Sequence, residues 1–154
     1  MDHAGAIFDD DADRLAAQGR YAEAAATQRV ALSLGTSDFP EGRELLAWYL
    51  LKAGEEDEAA ELWRELLAEH PGDPGVELTA GIAYLDADRP AEAIGHLTRA
   101  IELSLDGERT DAYVLRQAAG RRRRAEWLLA RQPDAVDERA AGTLAALEAR
   151  RTAA

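Results

Sequence analysis

The sequence contains no cysteine. A disulfide framework, a thiolate zinc site and a cysteine nucleophile are therefore excluded for this chain. Aromatic residues are also scarce, at 6% of the total, and Lys52 is the only lysine among 18 basic residues. Such a strong preference for arginine is typical of a GC-rich genome, and we expect a bacterial source.

Long apolar runs are absent as well. No stretch of the sequence approaches the roughly 18 consecutive apolar residues that a membrane-spanning helix requires. The first residues, MDHAGAIFDDDAD, lack the basic and apolar regions of a secretory signal peptide. We therefore expect a cytoplasmic protein that does not bind membranes.

What the sequence does contain favours helices. It is rich in alanine, leucine, glutamate and arginine, and these residues lose little side-chain freedom in an α-helix. With 154 residues, of which 47% are hydrophobic, the chain is long enough to bury a hydrophobic core without disulfide bonds or other covalent cross-links. We therefore predict one all-α domain that spans residues 1–154.

The net charge of −12 is unevenly distributed. Residues 1–108 hold 8 basic and 24 acidic residues, a net charge of −16, whereas residues 109–154 hold 10 basic and 6 acidic residues, a net charge of +4. An acidic body repels phosphate backbones, so we do not expect nucleic acid to be the main partner. The asymmetry predicts that the basic tail contacts an acidic surface, either its own or that of a second copy.

The sequence also repeats itself. An alanine in a Glu-Ala pair recurs at Ala24, Ala59 and Ala93, with spacings of 35 and 34 residues. This period is typical of a helix-turn-helix solenoid, in which two helices approach closely only where both carry small side chains. Flanking positions keep the same register: small residues at Ala12, Ala47 and Gly81, larger apolar ones at Leu15, Leu50 and Tyr84, and a second set at Ala31, Leu66 and Ala100.

With these motifs the chain resembles a tetratricopeptide repeat protein over roughly residues 5–105. The best-matching copy has the family's consensus residues at Gly81, Tyr84, Ala93 and Ala100, and the copy before it has them at Ala59, Trp63 and Pro71. The sequence departs from the consensus at Arg43 and Glu77, which replace tryptophan, and at Gln28, which replaces a large apolar residue. These departures predict an imperfect first repeat and a locally polar seam.

The resemblance implies a right-handed helix-turn-helix solenoid of three repeats, at about 5–36, 40–73 and 74–107, followed by C-terminal capping helices at about 109–151. Asp73 before Pro74 is a typical helix start, and Asp38 with Glu41 fits a capping box. The predicted helices span about 4–18, 21–34, 39–53, 56–69, 74–87, 91–104, 111–131 and 134–151.

In this family the first helices of successive repeats line a concave groove. The resemblance therefore implies a protein or peptide partner, and an apolar groove rimmed by acidic residues suits an amphipathic helix with basic flanks. Three alternatives stay open: the tail could fill the groove, the chain could be a structural homodimer whose basic tail packs on the acidic body, or the arginines at 121–124 could bind RNA or lipid. The groove residues implied by the register are Glu44, Trp48, Leu51, Lys52, Leu78, Ile82 and Leu85.

The tail lies outside the repeat register. A predicted helix from about Asp111 to Arg131 has an apolar stripe that should pack on the helix at 91–104; the stripe comprises Leu115, Ala118, Ala119, Leu128 and Leu129. The same helix carries arginines at 121–124, where we expect Arg122 to pair with Glu126 at i, i+4. Since exposed pairs contribute little, we expect replacement of the four arginines to change stability only modestly.

Catalytic and metal-binding patterns are missing. The sequence shows no glycine-rich phosphate loop, no nucleophile elbow and no paired histidine and carboxylate. The acidic run at 9–13 would need glycine and glutamate at the sixth and twelfth places of a calcium loop, where Arg14 and Arg20 stand instead. The three histidines lack further ligands at a suitable spacing. We therefore expect no enzyme activity, no cofactor and no metal site.

Overall fold

The computed structural model describes residues 11–35, 41–107 and 110–153. Within these ranges all regular structure is α-helical, and no strand is present. Residues 11–17 are helical and are called α1. Seven further helices follow: α2 (Tyr21–Ser33), α3 (Glu41–Ala53), α4 (Glu56–Glu69), α5 (Pro74–Asp86), α6 (Pro90–Asp106), α7 (Ala112–Leu128) and α8 (Ala135–Ala153).

The chain divides into two compact units, at residues 1–69 and 70–154. In the first unit α2 packs on α3, and α3 packs on α4. In the second unit α5 packs on α6, α7 covers both of these helices, and α8 packs on α6 and α7. The expectation that residues 1–154 form one domain stays a prediction.

Helix bounds agree with the sequence-based ranges to within a few residues. Asp73 caps α5 as predicted, because its Oδ1 accepts from the amide of Gly75 at 2.7 Å. α7 ends at Leu128, slightly before the predicted end near Arg131, and Ala130 in the following turn adopts a positive φ of 53°. The predicted cap at Asp38 and the acidic run at 9–10 lie outside the described residues.

Three turns repeat the same backbone geometry. Gly19, Gly54 and Asp88 all have a positive φ, at 75°, 84° and 58°. The following amide in each case donates to a carbonyl five residues earlier, as in a Schellman helix end. These bonds are Arg20 to Leu15 at 3.0 Å, Glu55 to Leu50 at 2.9 Å and Arg89 to Tyr84 at 2.9 Å. The repeat register read from the sequence is therefore present in the backbone.

Small side chains mark the helix contacts within each repeat. Ala24, Ala59 and Ala93 are fully buried. At Gly81 the contact is closest, because an added Cβ would lie 2.6 Å from the Cγ of Leu97 on α6. The other small residues of the register, Ala12, Ala31, Ala47 and Ala100, are also fully buried.

Polar side chains at the departures from consensus join helices of the first unit. Gln28 is buried on α2, and its Nε2 donates to the carbonyl of Gly42 on α3 at 3.1 Å. Arg43 on α3 donates to Glu69 at 2.7 Å and to Glu65 at 3.3 Å, both on α4. The polar seam predicted from Arg43 therefore connects the two helices of its own repeat.

The second unit has an equivalent seam at Glu77. Its Oε2 lies 2.9 Å from Nδ1 of His96 on α6. The imidazole of His96 stacks on Tyr84 with the ring centroids 5.3 Å apart and the planes 10° from parallel. Glu77 thus contacts a histidine of the neighbouring helix at the position where the family consensus has tryptophan.

Among the described helices, none combines the length and the hydrophobicity needed to cross a lipid bilayer.

The close contact at Gly81 yields a stability prediction with an internal control. Gly81→Ala should destabilise the fold by about 1–3 kcal/mol, because the added methyl overlaps Leu97. Gly95→Ala on α6 should instead stabilise it by up to about 1 kcal/mol, since its Cβ meets nothing within 4 Å and alanine favours helix. Urea unfolding measures both; equal stability of the two variants would show that the helix register is wrong.

Candidate functional site

Trp48 on α3 is the largest of the predicted groove residues. It is half-buried, and its ring packs edge-on against Tyr21 of α2 with centroids 6.1 Å apart. A tilted contact with Tyr49, at 5.2 Å, covers another part of the ring. The indole is therefore fixed by aromatic neighbours while part of its surface stays accessible.

Charged side chains stand one helical turn to either side of Trp48. Glu44 precedes it by four residues and Lys52 follows it by four, and both are half-buried. The Nζ of Lys52 lies 5.3 Å from the centroid of the Tyr21 ring, within range of a cation–π interaction. A cavity of about 280 Å³ opens beside Lys52, lined by residues 19–23, Lys52 and Ala53. The first unit thus places an aromatic surface between opposite charges.

The remaining predicted residues differ in depth. Leu51 on α3 and Leu78 on α5 belong to the cores of their units, with 5% and 6% of their surfaces exposed. Ile82 and Leu85 on α5 are half-buried and stay accessible in the second unit. By the repeat register, Ile82 is the counterpart of Trp48. The assignment of all seven residues to a partner site stays a prediction.

The tail packs largely as its apolar pattern predicts. Leu115 and Ala118 are fully buried, and α7 lies against α6. Leu128 is an exception to the predicted stripe, because it is exposed at the end of α7.

Arg122 is the centre of a buried ionic cluster. Its guanidinium contacts Glu126 at 2.6 Å, Asp134 at 2.7 Å and Asp137 at 2.7 Å, and its Nε donates to Thr98 of α6 at 2.8 Å. The side chains of Arg122, Glu126 and Asp137 are almost completely buried. The predicted i, i+4 pair is confirmed, and the cluster joins α6, α7 and the start of α8.

The environment of this cluster shifts two carboxyl groups in opposite directions. Burial raises the pKa of Glu126, and this effect outweighs the attraction of Arg122. The hydrogen bond from Arg122 lowers the pKa of Asp134, which is half-exposed. The three carboxylates have oxygen atoms within 4.8 Å of one another, close enough to surround a cation. The guanidinium of Arg122 already holds that position, so we assign no metal to the cluster.

The other arginines of the run at 121–124 have different surroundings. Arg121 donates to the side chain of Gln117 one turn earlier, and Arg123 lies 3.6 Å from Glu126. Arg124 is exposed and makes no ion pair with a described residue. The expectation that the whole run can be replaced at small cost is therefore wrong, because Arg122 is buried among carboxylates.

Two variants with the same change of charge separate these roles. Arg122→Gln should lower the free energy of unfolding by about 3–5 kcal/mol, because it leaves buried carboxylates without a counter-charge. Arg124→Gln should change the free energy of unfolding by less than about 0.5 kcal/mol, as expected for an exposed residue. Denaturant unfolding of both proteins tests the difference, and similar stabilities would contradict a buried ionic cluster.

The cluster also predicts how stability depends on pH. Asp134 has a folded-state pKa below its ordinary value of 3.8, so its contribution is present above that value and is lost as the pH falls through the folded pKa. Glu126 has a raised pKa and contributes with the opposite sign. Asp134→Asn should therefore destabilise the protein near neutral pH and much less in acid. A stability difference that is constant across the titration would contradict the Arg122–Asp134 interaction.

Sequence reasoning assigned no role to two aromatic residues on the outer face of α7. Tyr113 and Trp127 have 70% and 78% of their surfaces exposed. Both stand seven residues from Gly120, which is exposed as well. This regular spacing is visible in the sequence and could have indicated an outward-facing stripe.

Comparison with known proteins agrees with the geometry of the repeats. Residues 50–109 match the family model of the tetratricopeptide repeat. This range contains the end of α3, all of α4 to α6 and the turns at Gly54 and Asp88. No curated protein and no solved structure matches the chain. Within the matched segment, the recurring turns and the small-residue contacts support a tetratricopeptide repeat protein.

Proposed function

We propose that the chain is a protein-interaction module that binds a peptide or an amphipathic helix along the first helices of its repeats. Tetratricopeptide repeats generally mediate protein–protein interaction, and the family is typically a non-enzymatic scaffold. The proposal includes no catalytic activity and no cofactor. The cysteine-free composition suits a reducing compartment, and we propose the bacterial cytoplasm.

The observation that carries this proposal is the environment of Trp48. A half-buried tryptophan held by Tyr21 and Tyr49 offers a rigid apolar surface, and tryptophan is enriched among residues that dominate binding energy. Glu44 and Lys52 on either side would orient a partner that carries charges of both signs. In the second unit, Ile82 and Leu85 offer the accessible apolar surface. The buried Leu51 in the first unit and Leu78 in the second support their own helices.

A second candidate function is a self-associating structural subunit. The sequence-based form of this idea is a homodimer whose basic tail packs on the acidic body. The observation that favours self-association is that Arg116 and Arg124 make no ion pair with a described residue, although the net charge of the chain is −12. Unpaired arginines on an acidic protein are available to carboxylates of another chain.

The peptide-binding proposal predicts different outcomes for two tryptophans of the first unit. Trp48→Ala should weaken partner binding by at least about 2 kcal/mol, as for an interface anchor, with a smaller loss of stability. Trp63→Ala should destabilise the fold by about 3–5 kcal/mol, because Trp63 is buried in the core of that unit.

A pull-down from native lysate would supply the partner, and calorimetric titration would then compare the two variants. Denaturant unfolding of the same proteins gives their stabilities. A Trp48→Ala protein that loses much stability and keeps full affinity for the captured partner would place Trp48 in the core and contradict the proposal.

A further inference from the structure

The outer face of α7 carries an aromatic residue near each end and a glycine at its middle. Tyr113, Gly120 and Trp127 are spaced by seven residues, which is two turns of an α-helix, so they lie on one face. All three are exposed, and Trp127 is the most exposed of the large hydrophobic residues in the described ranges. Large aromatic side chains exposed in this way are typical of interaction sites.

This face also has charges that nothing in the described chain neutralises. Arg116 and Arg124 are exposed and make no ion pair with a described residue. The only carboxylate of α7 belongs to Glu126, which is buried with Arg122. By contrast, Arg29 and Arg43 in the first unit each contact two carboxylates.

Beside this face, α7 and α8 enclose a groove of about 480 Å³. The α7 side has Arg116 and Arg123, and the α8 side has Asp137 and Glu138. Glu138 is exposed and makes no ion pair with a described residue. Small or apolar residues complete the lining of the groove, namely Ala119, Gly120, Pro133, Ala141 and Leu144.

We propose that this surface is a dimer interface with a second copy of the chain, in which the two α7 helices cross antiparallel at Gly120 around a two-fold axis. A two-fold interface uses the same patch on both copies, so the patch must be complementary to itself. The α7/α8 groove meets this condition, because it offers unpaired charges of both signs. Glycine at the crossing point lets two helices approach closely.

The positions of the aromatic residues fit such an axis. Around Gly120, each residue opposes the residue equally far on the other side in the second copy. Tyr113 therefore opposes Trp127 of the second copy, and the same contact forms twice. Leu144 of α8 is half-buried and lines the groove together with Arg116, so it would give the indole an apolar contact.

The charges fit the same arrangement. Arg116 lies four residues before Gly120, so the axis places it near residue 124 of the second copy. Glu138 of that copy lines the groove together with Arg123, beside this position. Arg116 of each copy would then pair with Glu138 of the other, which offsets the repulsion between the arginines. Carboxylates at the groove also disfavour a phosphate backbone as the occupant.

This interface lies outside the residues of the proposed peptide site, so the two proposals fail independently. Sedimentation of the full chain over about 1 µM to about 1 mM should show a reversible monomer–dimer equilibrium. Trp48→Ala should leave that equilibrium unchanged. A chain that stays monomeric throughout this range would overturn the proposal. A monomeric chain that binds a fluorescent single-stranded RNA through its arginines would overturn it as well.

Two glycine variants test the crossing point. Gly120→Ala adds a methyl that meets nothing within 4 Å inside the chain, so the monomer should stay folded. At the crossing it separates the two helices, and we expect the dissociation constant to rise at least about tenfold, as Trp127→Ala should also do. Gly95→Ala, equally free of contacts, is the matched control and should have no effect. A dimer that both interface variants leave intact would overturn the proposal.

A charge exchange tests the two-fold arrangement. In an Arg124→Gln background, which removes the arginine that also faces residue 116, Arg116→Glu and Glu138→Arg should each raise the dissociation constant, because each places like charges together across the axis. The double variant restores opposite charges and should recover dimerisation. Recovery would support the pairing of Arg116 with Glu138 of the second copy, whereas a double variant as weak as the singles would overturn this arrangement.

Discussion

The close approach of helices at small side chains is the constraint on which the rest of the repeats depends. Gly81 leaves no room for a Cβ against Leu97, and Ala24, Ala59 and Ala93 are fully buried at the equivalent contacts. A close-packed interior has no space for even one extra methylene. These positions therefore fix how the helices of each repeat pack together. Polar substitutions such as Arg43 are tolerated because they lie beside these contacts and pair with the neighbouring helix.

The tail is held by a different principle. Beyond α6 the small-residue register ends, and Arg122 takes its place as the group that joins three helices. Burying a guanidinium and two carboxylates costs desolvation energy, so such a cluster contributes more to a defined geometry than to net stability. Arg122 contacts Asp134 and Asp137 at the start of α8. These contacts hold the first turn of α8 against α7.

The repeats were predictable because their signals are local or periodic. The close helix contacts at Ala24, Ala59 and Ala93 follow from the repeat spacing, and the pairing of Arg122 with Glu126 follows from helix geometry. The burial of that pair was not predictable, since it depends on residues across the turn between α7 and α8. For the candidate site, the repeat register predicts which face of a helix a residue occupies but not how deeply its side chain is buried. The sequence therefore could not distinguish the burial of Leu51 from that of Trp48.

The two proposed surfaces would reinforce one another if both are used. Peptide binding at Trp48 in the first unit would need no partner at α7, and pairing through α7 would leave Trp48 untouched. A dimer would then carry the peptide site twice, and two linked sites raise the apparent affinity for a partner with two epitopes without any new contact. In such a dimer, Tyr113 and Trp127 of α7, which no helix of their own chain covers, would be buried against the second copy.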